Sequence, residues 1–300
     1  MEVDLSVQVG ELRLAAPVVA AAGTFGFGEE YAELYDVSVL GAICTKTLTL
    51  RPRLGNPPPR LWETPCGLLN SIGLENPGVE GFLTGVLPRI RRFGVPIVVS
   101  IFGEKPEEYA ELARRLPPEF AALELNLSCP NVPGSARGAA ADQVAEIVGS
   151  VRDVWLGALW AKLSPEGDVL DAALAAQGSG ADAVVAGNTF RGMAIDVDRR
   201  APVFARRFAG LSGPAIKPLI LRVVYELCGA LQIPVIGCGG ITTGRDALEF
   251  ILAGAHAVQV GTANFFSPLC VPEIVEEIRA YLRAHRLRGL EEVRGCARTS

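Results

Sequence analysis

The chain has little of what a secreted, membrane-spanning or nucleic-acid-binding protein needs. Residues 1–22 carry acidic and polar side chains where a signal peptide needs a basic start and an apolar run, and no uninterrupted apolar segment approaches membrane-spanning length. The 28 Lys and Arg are outnumbered by 33 Asp and Glu and are spread along the chain, so the net charge of -5 provides no basic surface for a polyanion. We expect a cytoplasmic protein that binds neither a membrane nor nucleic acid.

The cysteines and glycines lack the spacings of common metal and dinucleotide sites. The 7 cysteines are odd in number, widely scattered and include no CxxC pair, which argues against a disulfide framework, a zinc site or an iron–sulfur cluster bound by this chain alone. Gly237 and Gly239 begin a Gly-x-Gly pattern, but Thr242 stands where a dinucleotide fingerprint has its third glycine. We therefore expect no metal ion and no nicotinamide site on this chain.

The chain does have a regular alternation of short apolar runs and helix-length amphipathic segments. The apolar runs break into Gly, Asn, Lys or Thr and cover residues 18–21, 42–45, 97–101, 123–127, 159–163, 183–186, 234–237 and 257–260. The amphipathic segments cover 107–116, 141–154, 169–177, 220–231 and 245–252. Because buried parallel strands read as continuous apolar runs, eight such units predict an α/β fold, a (β/α)8 TIM barrel, as a single domain over residues 1–300.

Some segments depart from a minimal barrel. Residues 3–14 predict a hairpin that turns at Gly10-Glu11 and plugs the bottom of the barrel. Residues 47–77 and 191–218 are too long for ordinary connections, so we expect them to cover the C-terminal mouth. Residues 129–140 are rich in glycine and other small residues, which predicts a mobile lid that closes over a substrate.

Polar residues gather just past the apolar runs. Such residues are individually ordinary loop caps, but the active site of a TIM barrel lies at the C-terminal ends of its strands. Two lysines and two asparagines at separate strand ends, Lys46, Lys162, Asn126 and Asn188, are harder to explain as caps. The ends of the last two runs are rich in glycine. TIM barrels commonly bind a phosphate at these two strand ends, on backbone N–H groups and a helix N-terminus. A pair of tight turns would give the same glycine pattern.

Cys129 is the strongest acid–base candidate. The fourth run leads from Asn126 directly into this thiol, and Pro130 keeps Cys129 out of the helical region, so the thiol follows the strand end on extended backbone. Most cysteines are small buried hydrophobes, and this residue alone would not indicate catalysis. Neither histidine competes with it, because His256 opens the last run at the opposite end and His285 lies in a basic C-terminal helix.

The remaining candidates suit a ring-shaped, partly anionic ligand. Asn70, in the first predicted cover, joins Asn126 and Asn188 in offering amide groups that both donate and accept hydrogen bonds, which fits a neutral ring with alternating C=O and N–H edges. Lys46 fits a carboxylate or a phosphate. Lys162 is expected to point into the mouth, since an outward cation would lie beneath the helices.

Motifs over nearly the whole chain resemble a known family. They are Ala22-Gly23-Thr24-Phe25-Gly26, Lys46-Thr47, Gly55-Asn56-Pro57-Pro58-Pro59-Arg60, Asn70-Ser71-Ile72-Gly73-Leu74, Asn126-Leu127-Ser128-Cys129-Pro130-Asn131, Lys162-Leu163-Ser164, Asn188-Thr189 with Gly192-Met193, Gly210-Leu211-Ser212-Gly213-Pro214-Ala215, Gly239-Gly240 and Gly261-Thr262. Together they resemble the class 1 dihydroorotate dehydrogenases, and most closely the catalytic subunit of the NAD-linked class 1B enzymes.

The resemblance implies an FMN-dependent oxidation of dihydroorotate to orotate in de novo pyrimidine (UMP) biosynthesis. Cys129 would take the C5 proton while the C6 hydride passes to N5 of the flavin, and Lys162 would lie near the flavin N1 and C2 carbonyl. The implied substrate-binding residues are Lys46, Asn70, Ser71, Ile72, Gly73, Leu74, Asn126, Asn188 and Thr189. The implied FMN-binding residues are Ala22, Gly23, Thr45, Lys46, Ser100, Asn126, Lys162, Gly187, Gly213, Gly239, Gly240, Gly261 and Thr262. Ala22 and Ser100 depart from the family, whose members often carry serine and asparagine there, and the residues after about Leu290 match no family motif.

The resemblance also implies partners. A homodimer of this chain would bind an iron–sulfur flavoprotein that carries FAD and a [2Fe-2S] cluster and reduces NAD, giving a heterotetramer. Several alternatives remain at this point: a fumarate-linked class 1A enzyme, a Schiff-base aldolase that uses Lys162, and a flavin reductase that modifies RNA, although the last would need a basic surface. A non-catalytic binding barrel would leave Cys129 and the two lysines unexplained.

Overall fold

The protein folds as alternating strands and helices, and the computed structural model describes residues 3–127 and 139–298. Within these ranges the strands are, in chain order, β1 (Val7–Val9), β2 (Leu12–Leu14), β3 (Val18–Ala20), β4 (Ala42–Cys44), β5 (Leu61–Thr64), β6 (Gly67–Asn70), β7 (Ile97–Ile101), β8 (Ala122–Asn126), β9 (Ala158–Leu163), β10 (Ala183–Ala186), β11 (Phe190–Met193), β12 (Ile195–Asp196), β13 (Ala201–Pro202), β14 (Phe208–Ser212), β15 (Val235–Cys238) and β16 (Ala257–Val260). The α-helices are α1 (Glu29–Ala32), α2 (Gly78–Gly81), α3 (Leu87–Ile90), α4 (Pro106–Arg115), α5 (Ala141–Arg152), α6 (Val169–Gly178), α7 (Lys217–Ala230), α8 (Gly244–Leu252), α9 (Ala263–Phe266) and α10 (Cys270–Ala284). Short 3-10 helices cover Val37–Val39, Arg91–Phe93, Pro214–Ile216, Leu290–Glu292 and Cys296–Arg298, and a π-helical turn covers Phe82–Val86.

Eight parallel strands close into a barrel in the order β3, β4, β7, β8, β9, β10, β15, β16 and back to β3. These are the eight predicted apolar runs, and each boundary agrees to within one residue. The strands could be predicted from continuous apolar runs because barrel strands are covered on both faces. Every residue is buried in β3, β4, β8, β10, β15 and β16. The predicted (β/α)8 TIM barrel is confirmed.

The helices around the barrel follow from amphipathic patterning and local capping. α4 begins with Pro106, which suits the first helical turn, and it buries Tyr109 and Leu112 against the strands. α8 begins with a capping box in which the side chains of Thr243 and Asp246 each bond the other's backbone N–H group. The five predicted helices are present and their ends shift by no more than three residues.

The N-terminal hairpin closes the base of the barrel, as predicted. β1 and β2 pair antiparallel from Val7↔Leu14 to Val9↔Leu12, and the turn passes through Gly10 at φ +62°. A Cβ atom on Gly10 would lie 3.4 Å from the carbonyl oxygen of Asp182, which directly precedes β10. Val7, Val9 and Leu14 of the hairpin are buried at this N-terminal end, opposite the mouth.

The two long insertions combine into one antiparallel sheet over the mouth. β5 and β6 come from the first insertion and β11 and β14 from the second, and the order β11-β14-β6-β5 places the junction between β14 and β6. At that junction Gly210 pairs with Asn70 and Ser212 pairs with Leu68. The predicted covers therefore form a single cover sheet, named so below. None of the helices in the described residues is both long and apolar enough to cross a bilayer.

Candidate functional site

A cavity of about 820 Å³ lies at the carboxyl ends of the barrel strands, beneath the cover sheet. Most of the residues predicted for the site line it, from both the barrel and the sheet. They are Ala22, Gly23, Lys46, Asn70, Ile72, Gly73, Leu74, Asn126, Lys162, Asn188, Thr189, Gly213, Gly239, Gly240, Gly261 and Thr262. Residues more than 200 positions apart in the chain thus share one enclosure.

Other predicted site residues lie behind this lining. Thr45 and Ser100 are fully buried, where Thr45 Oγ1 accepts a hydrogen bond from the Ser100 N–H (3.3 Å) and the Ser100 hydroxyl pairs with that of Thr47 (2.9 Å). The Ser71 hydroxyl accepts a bond from Asn56 Nδ2 (3.1 Å). A Cβ atom on Gly187 would meet the Ile220 and Pro165 side chains at 3.0 and 3.2 Å, so that glycine serves packing. Cys129 and the rest of the predicted lid up to residue 138 lie outside the described residues.

Asn126 and Asn188 stand side by side at the ends of β8 and β10. Asn188 Nδ2 donates to Asn126 Oδ1 (3.5 Å), and Asn126 Nδ2 donates to Thr47 Oγ1 (3.5 Å). The Thr189 N–H donates to Asn188 Oδ1 (2.8 Å), and the Tyr109 hydroxyl donates to the Asn126 carbonyl (2.9 Å). At 3.5 Å the two longer amide contacts are at the weak end of hydrogen bonding.

Asn70 approaches the same place from the cover sheet. Its Nδ2 donates to the Gly210 carbonyl oxygen (3.2 Å), and a Cβ atom on Gly210 would lie only 2.3 Å from Thr189 Oγ1. Gly210 therefore lets β14 pass close to Thr189. Asn70, Asn126, Asn188 and Thr189, which were predicted to hold a ring, meet in one corner of the cavity.

A second corner is built from glycine-rich backbone after β15 and β16. Gly239 and Gly240 adopt φ +146° and +76°, conformations that side chains disfavour, and a Cβ atom on Gly240 would lie 2.6 Å from Lys217. Thr262 Oγ1 donates to Ser212 Oγ on the cover sheet (2.7 Å). This corner exposes backbone without side chains, as close approach of an anion requires.

N–H groups at the start of the neighbouring helix α8 are bonded within the protein, because the Gly244 N–H donates to Glu277 Oε2 (2.6 Å) and the Asp246 N–H donates to Thr243 Oγ1 (3.1 Å). Asp246 Oδ2 accepts from the N–H groups of Thr242 (2.9 Å) and Thr243 (3.0 Å), and Asp246 Oδ1 accepts from Lys217 Nζ (2.6 Å). An anion in the corner would therefore meet the strand-end backbone around Gly239 and Thr262 rather than the α8 N-terminus.

Two cationic side chains reach the cavity from different strand ends. Lys46 follows β4, and a Cβ atom on Gly23 would lie 3.8 Å from its Nζ. Lys162 lies on β9 with only 5% of its surface exposed, and its Nζ donates to Gln259 Oε1 (2.6 Å). Both lysines were predicted at the mouth. Within residues 3–127 and 139–298, no three His, Cys, Asp or Glu side chains are placed to share a metal ion.

Lys162 belongs to a buried polar group that the sequence prediction missed. Gln259 Nε2 donates to Glu124 Oε2 (2.6 Å), and Glu124 Oε1 lies 3.7 Å from Lys162 Nζ. Glu124 and Gln259 are both 0% exposed. The sequence did contain a sign of this group, because Glu124 and Gln259 stand within otherwise apolar strands. Charged and amide side chains are buried only when they have partners.

Burial acts to lower the pKa of Lys162, but Cys238, Glu124 and Cys44 act to raise it, and the net pKa lies above the usual value. Burial is also the main cause of the raised pKa values of the Cys44 and Cys238 thiols. The raised pKa favours the ammonium form of Lys162, which disfavours the Schiff-base role because the attacking amine must be neutral.

The fold and this cavity define a (β/α)8-barrel enzyme whose site lies at the C-terminal mouth and joins an amide-lined corner to a glycine-lined one. The family model described as dihydroorotate dehydrogenase matches residues 4–282, and the chain belongs to that family.

Curated relatives resemble the chain over nearly its whole length. A protein of Desulforudis audaxviator named "Dihydroorotate dehydrogenase B (NAD(+)), catalytic subunit" is 49% identical, with 99% of this chain and 98% of the relative covered. A protein of the same name from Thermoanaerobacter pseudethanolicus is 48% identical, covering 97% and 98%. Among solved structures, a dihydroorotate dehydrogenase from Eimeria tenella in complex with ferulenol has a TM-score of 0.79 at 22% identity, covering 99% of this chain and 89% of that one, and it supports the fold.

Proposed function

We propose that this chain is the FMN-binding catalytic subunit of an NAD-linked dihydroorotate dehydrogenase, which oxidises dihydroorotate to orotate in pyrimidine biosynthesis. The observation that carries the proposal is the near-complete match to catalytic subunits of that name at 49% and 48% identity. The cavity supports it independently, because its two corners offer the groups that a pyrimidine ring and a phosphate need.

The residues present fit FMN. The positive-φ backbone of Gly239 and Gly240, together with Gly261 and Thr262, suits the phosphate, because glycine-rich backbone at strand ends can bring N–H groups close to an anion. Lys162 suits the pyrimidine edge of the flavin ring, since a cation there favours electron uptake. When bound, FMN supplies the acceptor for the hydride that leaves C6 of dihydroorotate.

The substrate would lie against Asn70, Asn126, Asn188 and Thr189, whose amide and hydroxyl groups complement the C=O and N–H edges of the pyrimidine. Lys46 would meet its carboxylate. Cys129 would take the C5 proton; it follows Leu127 by two residues, and the Leu127 N–H donates to the Lys162 carbonyl oxygen (3.0 Å) at the mouth. Ser71, Ile72, Gly73 and Leu74 remain predictions for the same ligand.

A separate electron-transfer subunit is implied by the names of the relatives, which are catalytic subunits of NAD-linked enzymes. We propose further that this partner carries FAD and a [2Fe-2S] cluster and binds a homodimer of the chain as a cytoplasmic heterotetramer. The electrons would leave the reduced flavin through that partner.

An absorbance spectrum of the purified protein tests cofactor and substrate together. We expect a flavin band that bleaches when dihydroorotate is added without oxygen. Cys129→Ala should retain the band and bleach far more slowly, because no base would accept the C5 proton. Cys296→Ala, which changes an exposed cysteine outside the cavity, is the matched control and should bleach normally. A protein that holds no flavin would contradict the proposal, and loss of flavin in Cys129→Ala alone would mean that the thiol is structural.

A further inference from the structure

The core of the barrel carries a charge pair directly below the cavity. Glu124 on β8 and Lys162 on β9 are connected by Gln259 on β16, which lies across the barrel from them. The carboxylate is completely buried, whereas Lys162 also lines the cavity. Lys162 therefore connects the polar interior of the barrel to the cavity.

The orientation of the Gln259 amide follows from its two neighbours. An ionised carboxylate only accepts hydrogen bonds and an ammonium ion only donates them. The amide nitrogen must therefore face Glu124 and the amide oxygen must face Lys162, since the reverse orientation would make both contacts repulsive. Glu124 thus fixes Gln259, and Gln259 fixes the position of the Lys162 ammonium group.

The pair also sets the charge of the cavity floor. The titratable groups that face Lys162 are Glu124 from β8, Cys44 from β4 and Cys238 from β15. Burial is the main cause that raises the pKa values of both thiols, which favours their neutral forms, so Glu124 is the principal anion. Without Glu124 the main anion that opposes the effect of burial would be lost, which would favour the neutral amine of Lys162.

We propose that Glu124, acting through Gln259, is a positioning residue that keeps Lys162 charged and fixed at the cavity, where FMN would bind, and offsets part of its positive charge. The part that concerns the flavin rests on the proposed function. Lys162 would make FMN easier to reduce. Because Glu124 offsets part of the lysine's charge, this effect would be smaller than that of a lysine without an anionic partner. Glu124 therefore tunes the reduction potential without touching the ligand.

The protonation state of Lys162 can be measured directly, because the chain contains only four lysines, Lys46, Lys105, Lys162 and Lys217. In protein with ¹³C-labelled lysine, Lys162→Arg identifies the signal and the exposed Lys105 provides an internal reference. We expect wild-type Lys162 to remain protonated as the pH rises through the range in which Lys105 titrates. Glu124→Gln should make deprotonation of Lys162 at least about tenfold more favourable, a shift of about one pH unit. Glu124→Asp keeps the charge and should remain near wild type.

The flavin potential gives a second reading on the holoprotein. At a pH where Lys162 is still protonated in both proteins, Glu124→Gln should shift the midpoint potential to a more positive value than in wild type or Glu124→Asp. This difference should disappear as the pH rises through the lowered pKa of Lys162 in the variant.

Several results would overturn the proposal. Deprotonation of wild-type Lys162 at a lower pH than Lys105 would overturn it, and this result does not depend on whether Glu124→Gln folds. Equal effects of Glu124→Gln and Glu124→Asp on the titration or the potential would indicate a packing role only. A protein without bound flavin would instead contradict the proposed function, and the lysine titration would then decide the role of Glu124 alone.

Discussion

Gly210 is a residue at which the site has no room for a side chain. In Gly210→Ala the new Cβ atom would lie 2.3 Å from Thr189 Oγ1 and 3.2 Å from Asn70 Nδ2, so β14 or Thr189 must move. Overpacking of this kind costs about 1–3 kcal/mol, and here the strain falls on two residues proposed to bind substrate. We expect orotate to bind at least about tenfold more weakly, a loss of about 1.4 kcal/mol, in a titration followed by the flavin spectrum.

The control for this variant is Gly149→Ala in α5, where the added Cβ atom meets nothing within 4 Å. Alanine in a helix interior is favoured over glycine by up to about 1 kcal/mol, so this variant should be as stable as wild type or more stable, with unchanged orotate affinity. Wild-type orotate affinity in Gly210→Ala would show that the contact with Thr189 does not shape the substrate corner.

Individual residues also show why part of the site was predictable. Lys46, Asn126 and Lys162 stand where an apolar run ends, and in a closed parallel barrel all strand ends of one polarity converge. Glu124 lies in the middle of its strand instead, and Gln259, although near the end of its own strand, is fully buried. Because their importance comes from meeting Lys162 across the barrel, the spacing along the chain contained no direct sign of it.

Helix α8 supports the glycine-lined corner from behind, and its N-terminus depends on one carboxylate. Burial acts to raise the pKa of Asp246, but hydrogen bonds from Lys217, Thr242 and Thr243 outweigh it and lower the pKa from 3.8 to about 2. A shift of that size corresponds to about 2 kcal/mol of folding free energy, present above the unfolded-state pKa and lost as the pH falls through the folded-state value.

Asp246→Asn should therefore lower the free energy of unfolding by up to about 2 kcal/mol at pH 7, measured by urea denaturation. The difference from wild type should shrink between about pH 4 and pH 2 and vanish below that range, because the wild-type carboxylate is then protonated too. Asp171→Asn, in the first turn of α6, shares the helix-terminal position without Lys217 and should change stability less. A loss for Asp246→Asn that does not depend on pH would mean that shape rather than charge matters at this position.

The secondary-structure elements were predictable from their own sequences, whereas the pairing of distant strands was not. The eight barrel strands and the five predicted helices were predictable because each follows from its own hydrophobic pattern. The cover sheet was predicted only as two separate insertions, since the pairing of Gly210 with Asn70 joins segments 140 residues apart, and no periodicity within either segment specifies the partner. The sheet matters for the site because it brings Asn70 and Ser212 over the barrel.

The whole molecule should be more stable with its cofactor than without it. FMN in the 820 Å³ cavity would contact both the barrel ends and the cover sheet, and a ligand that binds only the folded state stabilises it by mass action. Free FMN at about 100 times its dissociation constant should add about 2.7 kcal/mol to the free energy of unfolding. Thermal melting of flavin-free protein with increasing FMN measures the effect, and riboflavin, which lacks the phosphate, is the control for the glycine-lined corner. Equal stabilisation by both ligands would argue against a phosphate site there.

The last step of the reaction requires more than this chain. Its sequence lacks a dinucleotide fingerprint, and its full-length relatives are named catalytic subunits of NAD-linked enzymes, so the electron path to NAD is expected to continue through a second protein. We expect the purified chain to reduce an artificial dye with dihydroorotate but to show no measurable reduction of NAD, and addition of the electron-transfer subunit should restore NAD reduction. Cys129→Ala, as the control, should slow both reactions, because they share the first proton transfer. Reduction of NAD by the chain alone at the rate of the full complex would contradict the partner proposal. Rapid reduction of fumarate by the chain alone would assign the chain to the fumarate-linked class.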